Sequence, residues 1–431
     1  MKTFAAPTIR LDYGKMRWLI TSWLTLSTVL NVIEKQTLSI VAPFLRETLH
    51  ISLEQYSYIV TAFLVSYGVM YAVGGWFVDR VGERIGMAAC VGWWAVCTML
   101  TSLVQGALSL GAVRFLVGLG EPGVYPAALK TTTRWFPKAE RGTPIAVFSS
   151  GGAVGNMLAA PLIAMVALRV GWRASFLLPG TLGLLWLAGW LTIYRLPEKH
   201  PGVTAHDLAK LAEEDSTDPK LGWFALFRNR NVMALVLARL ISDPVNYFYV
   251  FFIPEYLKSQ RGFSLADIGM YAWMPFMAGA LGGMVGGRWS DILIKRGTQP
   301  AKARLRILYM SAAVAPLGVL TSQVHSVAVA LILMSLMSFI VYCWFINTAA
   351  VIPDIASVRQ AGSILGIMGT AGTFGGMLFM PLVGFLVTRF GSYQLIFAIV
   401  GSVHVIGALI LWGMIRIPKQ TPDVLEECYE A

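Results

Sequence analysis

Two stretches of this chain repeat one another in order, and that constrains its fold more than any other feature. Gly75-Trp76-Phe77-Val78-Asp79-Arg80-Val81-Gly82 returns as Gly287-Arg288-Trp289-Ser290-Asp291-Ile292-Leu293-Ile294, which sets Gly75 and Asp79 212 residues before Gly287 and Asp291. Pro43 and Pro254 stand 211 apart, and Ser52-Leu53 matches Ser264-Leu265 at 212. Pro161-Leu162 with Arg169-Val170-Gly171 returns as Pro381-Leu382 with Arg389-Phe390-Gly391, 220 apart. An ordered series with one small slip implies two homologous halves. In a membrane chain, parallel halves of this size imply a transporter with its site between them.

Composition makes it a membrane chain. Of 431 residues, 56% are hydrophobic and 13% charged, against roughly 25% charged in soluble domains. The apolar runs at 87–103, 179–194 and 398–415 approach the ~20 residues that cross a bilayer core. They are continuous rather than alternating, so they read as helices and not as barrel strands. The expected fold is an all-α membrane protein of twelve transmembrane helices in two pseudo-symmetric six-helix bundles. The spans fall near 17–43, 56–78, 84–104, 107–130, 143–168, 173–194, 232–257, 268–291, 305–325, 327–352, 361–387 and 392–416. An N-terminal bundle over 1–194 and a C-terminal bundle over 231–431 flank a polar linker at 195–230. The linker carries Glu213, Glu214, Asp215, Asp218 and Lys220 among its charges.

Charge sorting predicts the orientation. Of 34 Lys and Arg, six (Arg46, Arg169, Arg173, Lys258, Arg261 and Arg389) fall on one side, and Lys35, Arg114 and Arg239 lie within spans. The rest, including Lys2, Arg10, Lys138 and the run Lys302–Arg306, fall on the other side, which makes that side and both termini cytoplasmic. The net charge of +11 is thus a topology signal and calls for no nucleic-acid partner. The first ~15 residues lack the pattern of a cleaved signal peptide. Cys90, Cys97, Cys343 and Cys428 show no pairing or ligand spacing. Zinc-protease, P-loop and nucleophile-elbow motifs are missing, and the five histidines are scattered, which sets a membrane enzyme aside. With no Asn-x-Ser/Thr site, the expected location is a bacterial inner membrane. No cofactor is called for, and a monomer driven by a proton gradient suffices.

Ionisable groups inside spans cost ~2.5–3.5 kcal/mol or more at mid-membrane and are functional by default. Glu34 and Lys35 follow Asn31 in the first span, Arg114 and Glu121 lie two turns apart in the fourth, and Arg239 and Asp243 one turn apart in the seventh. Three acids and three bases balance, as a low dielectric requires. Arg239–Asp243 reads equally as an ion pair stitching helices or as gating machinery. Glu34 and Lys35 are adjacent and point about 100° apart on a helix, so they cannot simply satisfy each other. Carboxyl groups in apolar pockets can load and unload protons, and a base freed by that proton can grip an anion. Glu34 and Glu121 are the candidate proton carriers, with Lys35 and Arg114 as anion clamps.

The Gly75…Asp79-Arg80…Gly82-Glu83-Arg84 loop resembles the signature of the major facilitator superfamily. Asp79, Arg80, Arg84 and the second-copy Asp291 are therefore read as gating residues, with Asp79 pairing to a helix end across the bundle. Asn31-…-Glu34-Lys35-Gln36-Thr37-Leu38-Ser39, Tyr67, Arg114-…-Gly120-Glu121-Pro122-Gly123 and Trp135-Phe136-Pro137-Lys138-Ala139-Glu140-Arg141 resemble the anion:cation symporter branch of that family. Arg239-…-Asp243-Pro244-…-Tyr247 and Tyr271-Ala272-Trp273-Met274-Pro275 agree. Within that branch the chain is similar to bacterial hexuronate and aldonate transporters. The resemblance implies proton titration at Glu34 and Glu121, anion binding at Lys35 and Arg114, and sugar contact at Tyr67. Two departures touch the pocket. Glu34-Lys35 stands where the branch more often has Asp-Arg, and Asn246 where it usually has an aromatic.

Asn246, Tyr247, Tyr342, Trp344, Asn347 and Thr370 are candidates to complete the pocket, each otherwise a packing residue. The glycine-rich stretches 151–155 and 366–376 read as close helix contacts. Uptake of a sugar acid with protons leads. The same machine acting on a dicarboxylate or an aromatic acid comes second, and a proton-coupled exporter third.

Overall fold

Every helix must satisfy its own backbone in lipid, and the repeat supplies the same end devices twice. The computed structural model describes residues 12–137, 140–212, 226–355 and 361–417. Lys2, Arg10, Lys138, Ala139, Cys428 and the linker's Glu213, Glu214, Asp215, Asp218 and Lys220 lie outside them. Ser52 and Ser264, equivalent in the repeat, each close a capping box. Ser52 with Gln55 opens one helix, and Ser264 with Asp267 opens another. These reciprocal bonds satisfy backbone N–H groups that the first turn leaves free. Gly171 and Gly391, again equivalent, turn the chain at φ of 103° and 64°, where a side chain would be strained.

Twelve long helices result among the described residues. The first half holds α1 Tyr13–Leu49, α2 Leu53–Val81, α3 Glu83–Leu103, α4 Ala107–Trp135, α5 Gly142–Val170 and α6 Trp172–Ile193. The second half holds α7 Arg230–Arg261, α8 Leu265–Lys295, α9 Pro300–Ser322, α10 Val327–Ala350, α11 Ala361–Phe390 and α12 Gln394–Met414. A short helix, Ala205–Ala212, lies in the linker. Apolarity and length qualify ten of the twelve to cross a bilayer. α2 makes an eleventh when its parts Leu53–Tyr71 and Val73–Val81, which meet at 52°, are joined. α1 falls short of the twelve expected because Asn31, Glu34, Lys35 and Gln36 interrupt its apolar course.

The halves pack alike. α1 rests on α5, α2 on α4 and α3 on α6, and α7 on α11, α8 on α10 and α9 on α12 repeat the scheme. Backbone approach at one equivalent pair shows why. A Cβ on Gly155 of α5 would lie 2.8 Å from the Val29 carbonyl of α1, and one on Gly375 of α11 would strike the Leu240 carbonyl of α7. Between halves, α2 meets α11, α5 meets α8 and α1 meets α7. Large apolar side chains face outward, among them Leu185, Met284, Ile332, Leu378 and Leu409, at 59% to 65% exposed. Such a belt is tolerable only against lipid. A wholly apolar cavity of about 250 Å³ among α7, α11 and α12 opens on this belt and carries no chemistry.

Candidate functional site

The middle of α1 delivers two opposite charges in two directions. Glu34 is fully buried and pairs with Arg114 of α4, Nη1 to Oε1 at 2.9 Å. Lys35 turns instead toward Glu121 of α4, Nζ to Oε2 at 3.0 Å. The adjacent residues thus reach different partners, as their angular separation requires. Glu121 sits where α4 changes character. The α-helical part ends at Gly120, Glu121–Gly123 forms a 3-10 turn, and α-helix resumes at Val124. Pro122 has no N–H to give the ladder, so the helix loosens beside the acid.

The four groups form one interlocked square. The Glu34 and Glu121 carboxyls face each other within hydrogen-bonding reach. Glu34 Oε2 and Glu121 Oε1 are buried without a hydrogen-bond donor, whereas Glu121 Oε2 faces the Lys35 ammonium. A single proton held between them would satisfy an oxygen of each. Arg114 is 2% exposed, with its guanidinium 5.2 Å from the Phe176 ring centre. The Lys35 side chain retains 20% exposure, so it is the accessible cation. It donates to the Tyr67 hydroxyl at 3.3 Å and lies 4.4 Å from that ring's centre. Asn31, one turn before Lys35 on the same face, holds its Nδ2 buried and unpartnered.

The second half approaches this square with hydroxyls. Tyr247 shares a 2.9 Å hydrogen bond with Thr373 of α11. Asn246 is half-buried beside it in sequence. Trp344 and Asn347 are not brought to the square. Trp344 donates to Ser242 at 3.0 Å and stacks edge-on with His404, while Asn347 donates to the Cys343 carbonyl one turn back. Both are buried inside the second half because α10 is apolar almost all round. Arg239 and Asp243 pair along α7 at 2.7 Å, with the guanidinium 4.0 Å from the Phe345 ring centre. Asp243 also fills the space a Cβ on Gly372 of α11 would need.

The candidate gating residues stay within their own half. Asp79 pairs at 3.1 Å with Lys130, near the end of α4 in the same bundle. Arg80 lies over Trp76 at 5.8 Å, and Arg84 donates to the Leu191 carbonyl at 2.7 Å. Asp291 is exposed. Among the described residues, the ion pairs that join the halves lie at the opposite end, and sequence reasoning missed them. Arg46 of α1 pairs with Glu255 of α7, and Glu47 of α1 with Lys258 of α7, both at 2.5 Å. Tyr56 also donates to the Phe251 carbonyl at 2.9 Å. A cleft of about 600 Å³ lined by these charges lies there. The signal was present in the repeat, since both charge sets follow equivalent prolines, Pro43 and Pro254.

Twelve helices in two like halves around buried charges define a membrane transport protein, and comparison with known proteins supplies the family. The model of the Major Facilitator Superfamily matches residues 24–378. The chain belongs to that superfamily and is a multi-pass membrane transporter. It is 29% identical over 426 residues to a hexuronate transporter of Escherichia coli, covering 96% of this chain and 97% of that one. It is 30% identical to a probable sulfoacetate transporter of Cupriavidus necator, over 92% and 93% of the two chains. A probable galactarate/D-glucarate transporter of Bacillus subtilis is 28% identical over 98% of both. Among solved structures, a bacterial homolog of the human lysosomal transporter Spinster matches with a TM-score of 0.70 at 19% identity, over 93% and 95% of the chains.

Proposed function

We propose that this transporter moves a sugar acid, of the hexuronate or aldonate kind, inward together with a proton. It acts as a monomer in the inner membrane, with both termini cytoplasmic and no cofactor. The square of Glu34, Lys35, Arg114 and Glu121 carries this reading, because its charge balance supplies the coupling. With both acids ionised, two anions face two cations and the site is neutral. A proton on Glu121 releases Lys35 from its partner, and a guest carboxylate can take that partner's place. The loaded site is again neutral. A proton without a guest leaves one excess positive charge, and a guest without a proton one excess negative charge. Moving an uncompensated charge through a low dielectric is costly. Only the empty and the doubly loaded states cross cheaply, which makes symport the consequence of electroneutrality.

In this scheme Arg114 keeps Glu34 ionised and in place, and Lys35 is the direct clamp. Tyr67, Tyr247, Asn246 and Asn31 face the guest's hydroxyls, whereas Trp344 and Asn347 support the helix that carries Tyr342. The relatives named for hexuronates and aldarates favour a polyhydroxylated acid. A second reading, an organosulfonate or another small carboxylate, rests on the relative named for sulfoacetate. Radiolabelled uptake competition separates them. Excess glucuronate or gluconate is expected to suppress uptake of the preferred guest where sulfoacetate does not, and the reverse order would refute the leading cargo.

The ion pairs Arg46–Glu255 and Glu47–Lys258 act as the outer latch that must part for loading. Glu47→Cys with Lys258→Cys, in a chain whose natural cysteines are replaced, is expected to cross-link under oxidation. Uptake then stops and returns with reductant. Full uptake in the cross-linked protein would show that this end need not open.

A further inference from the structure

We infer that Gln36, Asn156 and Tyr342 form a neutral wall that reads the hydroxyl groups of the guest and so determines which carboxylates are accepted. This deepens, and rests on, the sugar-acid reading above. Gln36 follows Lys35 in α1 and so points about 100° away from it, toward α5. There its Nε2 donates to Asn156 Oδ1. Tyr342 arrives from α10 in the other half. Its ring covers Gly279 of α8, where a Cβ would lie 2.8 Å from the ring. Its phenol comes beside the Asn156 side chain. Gln36 is 2% exposed, while Asn156 and Tyr342 are only half-buried. The wall therefore starts one residue after the accessible cation on α1, with one residue fixed and two open.

Its chemistry suits a hydroxyl and not a carboxylate. An amide and a phenol each both donate and accept, as a hydroxyl does, whereas a carboxylate only accepts. The single Gln36–Asn156 bond leaves the Gln36 carbonyl and the Asn156 N–H₂ with capacity to spare. None of the three carries charge, so none competes with Lys35 for the guest's anion. A mere staple between α1 and α5 is not what these helices need. They are already fixed by backbone approach, since a Cβ on Gly151 would lie 2.6 Å from the Thr25 carbonyl. A staple also would not involve a tyrosine from the opposite half. Because the wall spans both halves, a guest that bonds to Asn156 and Tyr342 draws α10 toward α5 as it binds.

The test compares gluconate with hexanoate, acids of equal chain length with and without hydroxyls, on purified Asn156→Leu and Tyr342→Phe proteins. Each variant is expected to weaken gluconate about tenfold, the loss of one or two hydrogen bonds. Hexanoate affinity should change by less than about twofold, the scale of a surface substitution. The thermal midpoint without guest should hold for Tyr342→Phe, which removes one oxygen and carries the test should Asn156→Leu disturb α1–α5 packing. Equal weakening of both acids, or no weakening of either, overturns the wall while leaving the cargo reading intact. An unaltered protein that binds hexanoate as well as gluconate overturns both.

Discussion

Replacing Glu121 by glutamine is expected to abolish uphill accumulation of the guest while leaving exchange across the membrane. Glutamine copies the shape of a protonated glutamate but cannot release a proton. Lys35, 3.0 Å from Glu121 in the unaltered protein, would then stay free of a competing anion. The guest binds at any pH, and the site is never neutral when empty. The empty return step therefore carries an excess positive charge and becomes the barrier. In proteoliposomes the Glu121→Gln protein should exchange labelled for unlabelled guest at a near-normal rate. Under an inward proton gradient its internal guest concentration should never exceed the external level. Undiminished gradient-driven accumulation would remove Glu121 from the coupling.

Lys35→Ala has the second large effect. The guest's carboxylate loses its clamp, and Glu121 loses the cation beside it. Truncating one member of a desolvated charge pair costs about 2–5 kcal/mol, or about 30- to 4,000-fold in Kd. Calorimetric titration with a sugar acid should therefore give no measurable binding at concentrations that saturate the unaltered protein. Lys35→Arg, which keeps the charge, should recover part of it. Arg114→Ala is a poorer probe, since it leaves Glu34 as an unpaired buried anion and the damage falls on stability as well as binding. Unchanged affinity in Lys35→Ala would place the guest elsewhere.

The sequence exposed the parts of this site whose presence in a membrane is expensive. Glu34, Lys35, Arg114 and Glu121 stand out because nothing apolar explains them, and the seven-residue spacing in α4 put Arg114 and Glu121 on one face. Which acid meets which base was not legible, because helix rotation decides it. The deep position of Arg114 and the accessible one of Lys35 come from packing alone. The repeat was fully legible and recurs in detail, down to Ser52 and Ser264 as caps and Gly171 and Gly391 as turns. Helix ends were less so. α1 runs to Leu49 and α7 to Arg261, past the apolar windows, which is why Arg46 and Lys258 read as loop charges instead of a latch. Asn156 was hidden as a lone amide among close-packing glycines. Trp344 and Asn347 were misleading for the opposite reason, since a uniformly apolar α10 gives no sign of which face meets the other half.

The most direct test follows protons. Purified protein is reconstituted into vesicles holding a pH-sensitive dye, without an imposed gradient, and a sugar acid is added outside. Electroneutral coupling through the Glu34–Lys35–Arg114–Glu121 square predicts acidification inside the vesicles in step with guest entry, and none with Glu121→Gln. Guest entry with no change in internal pH, or with alkalinisation, would contradict it.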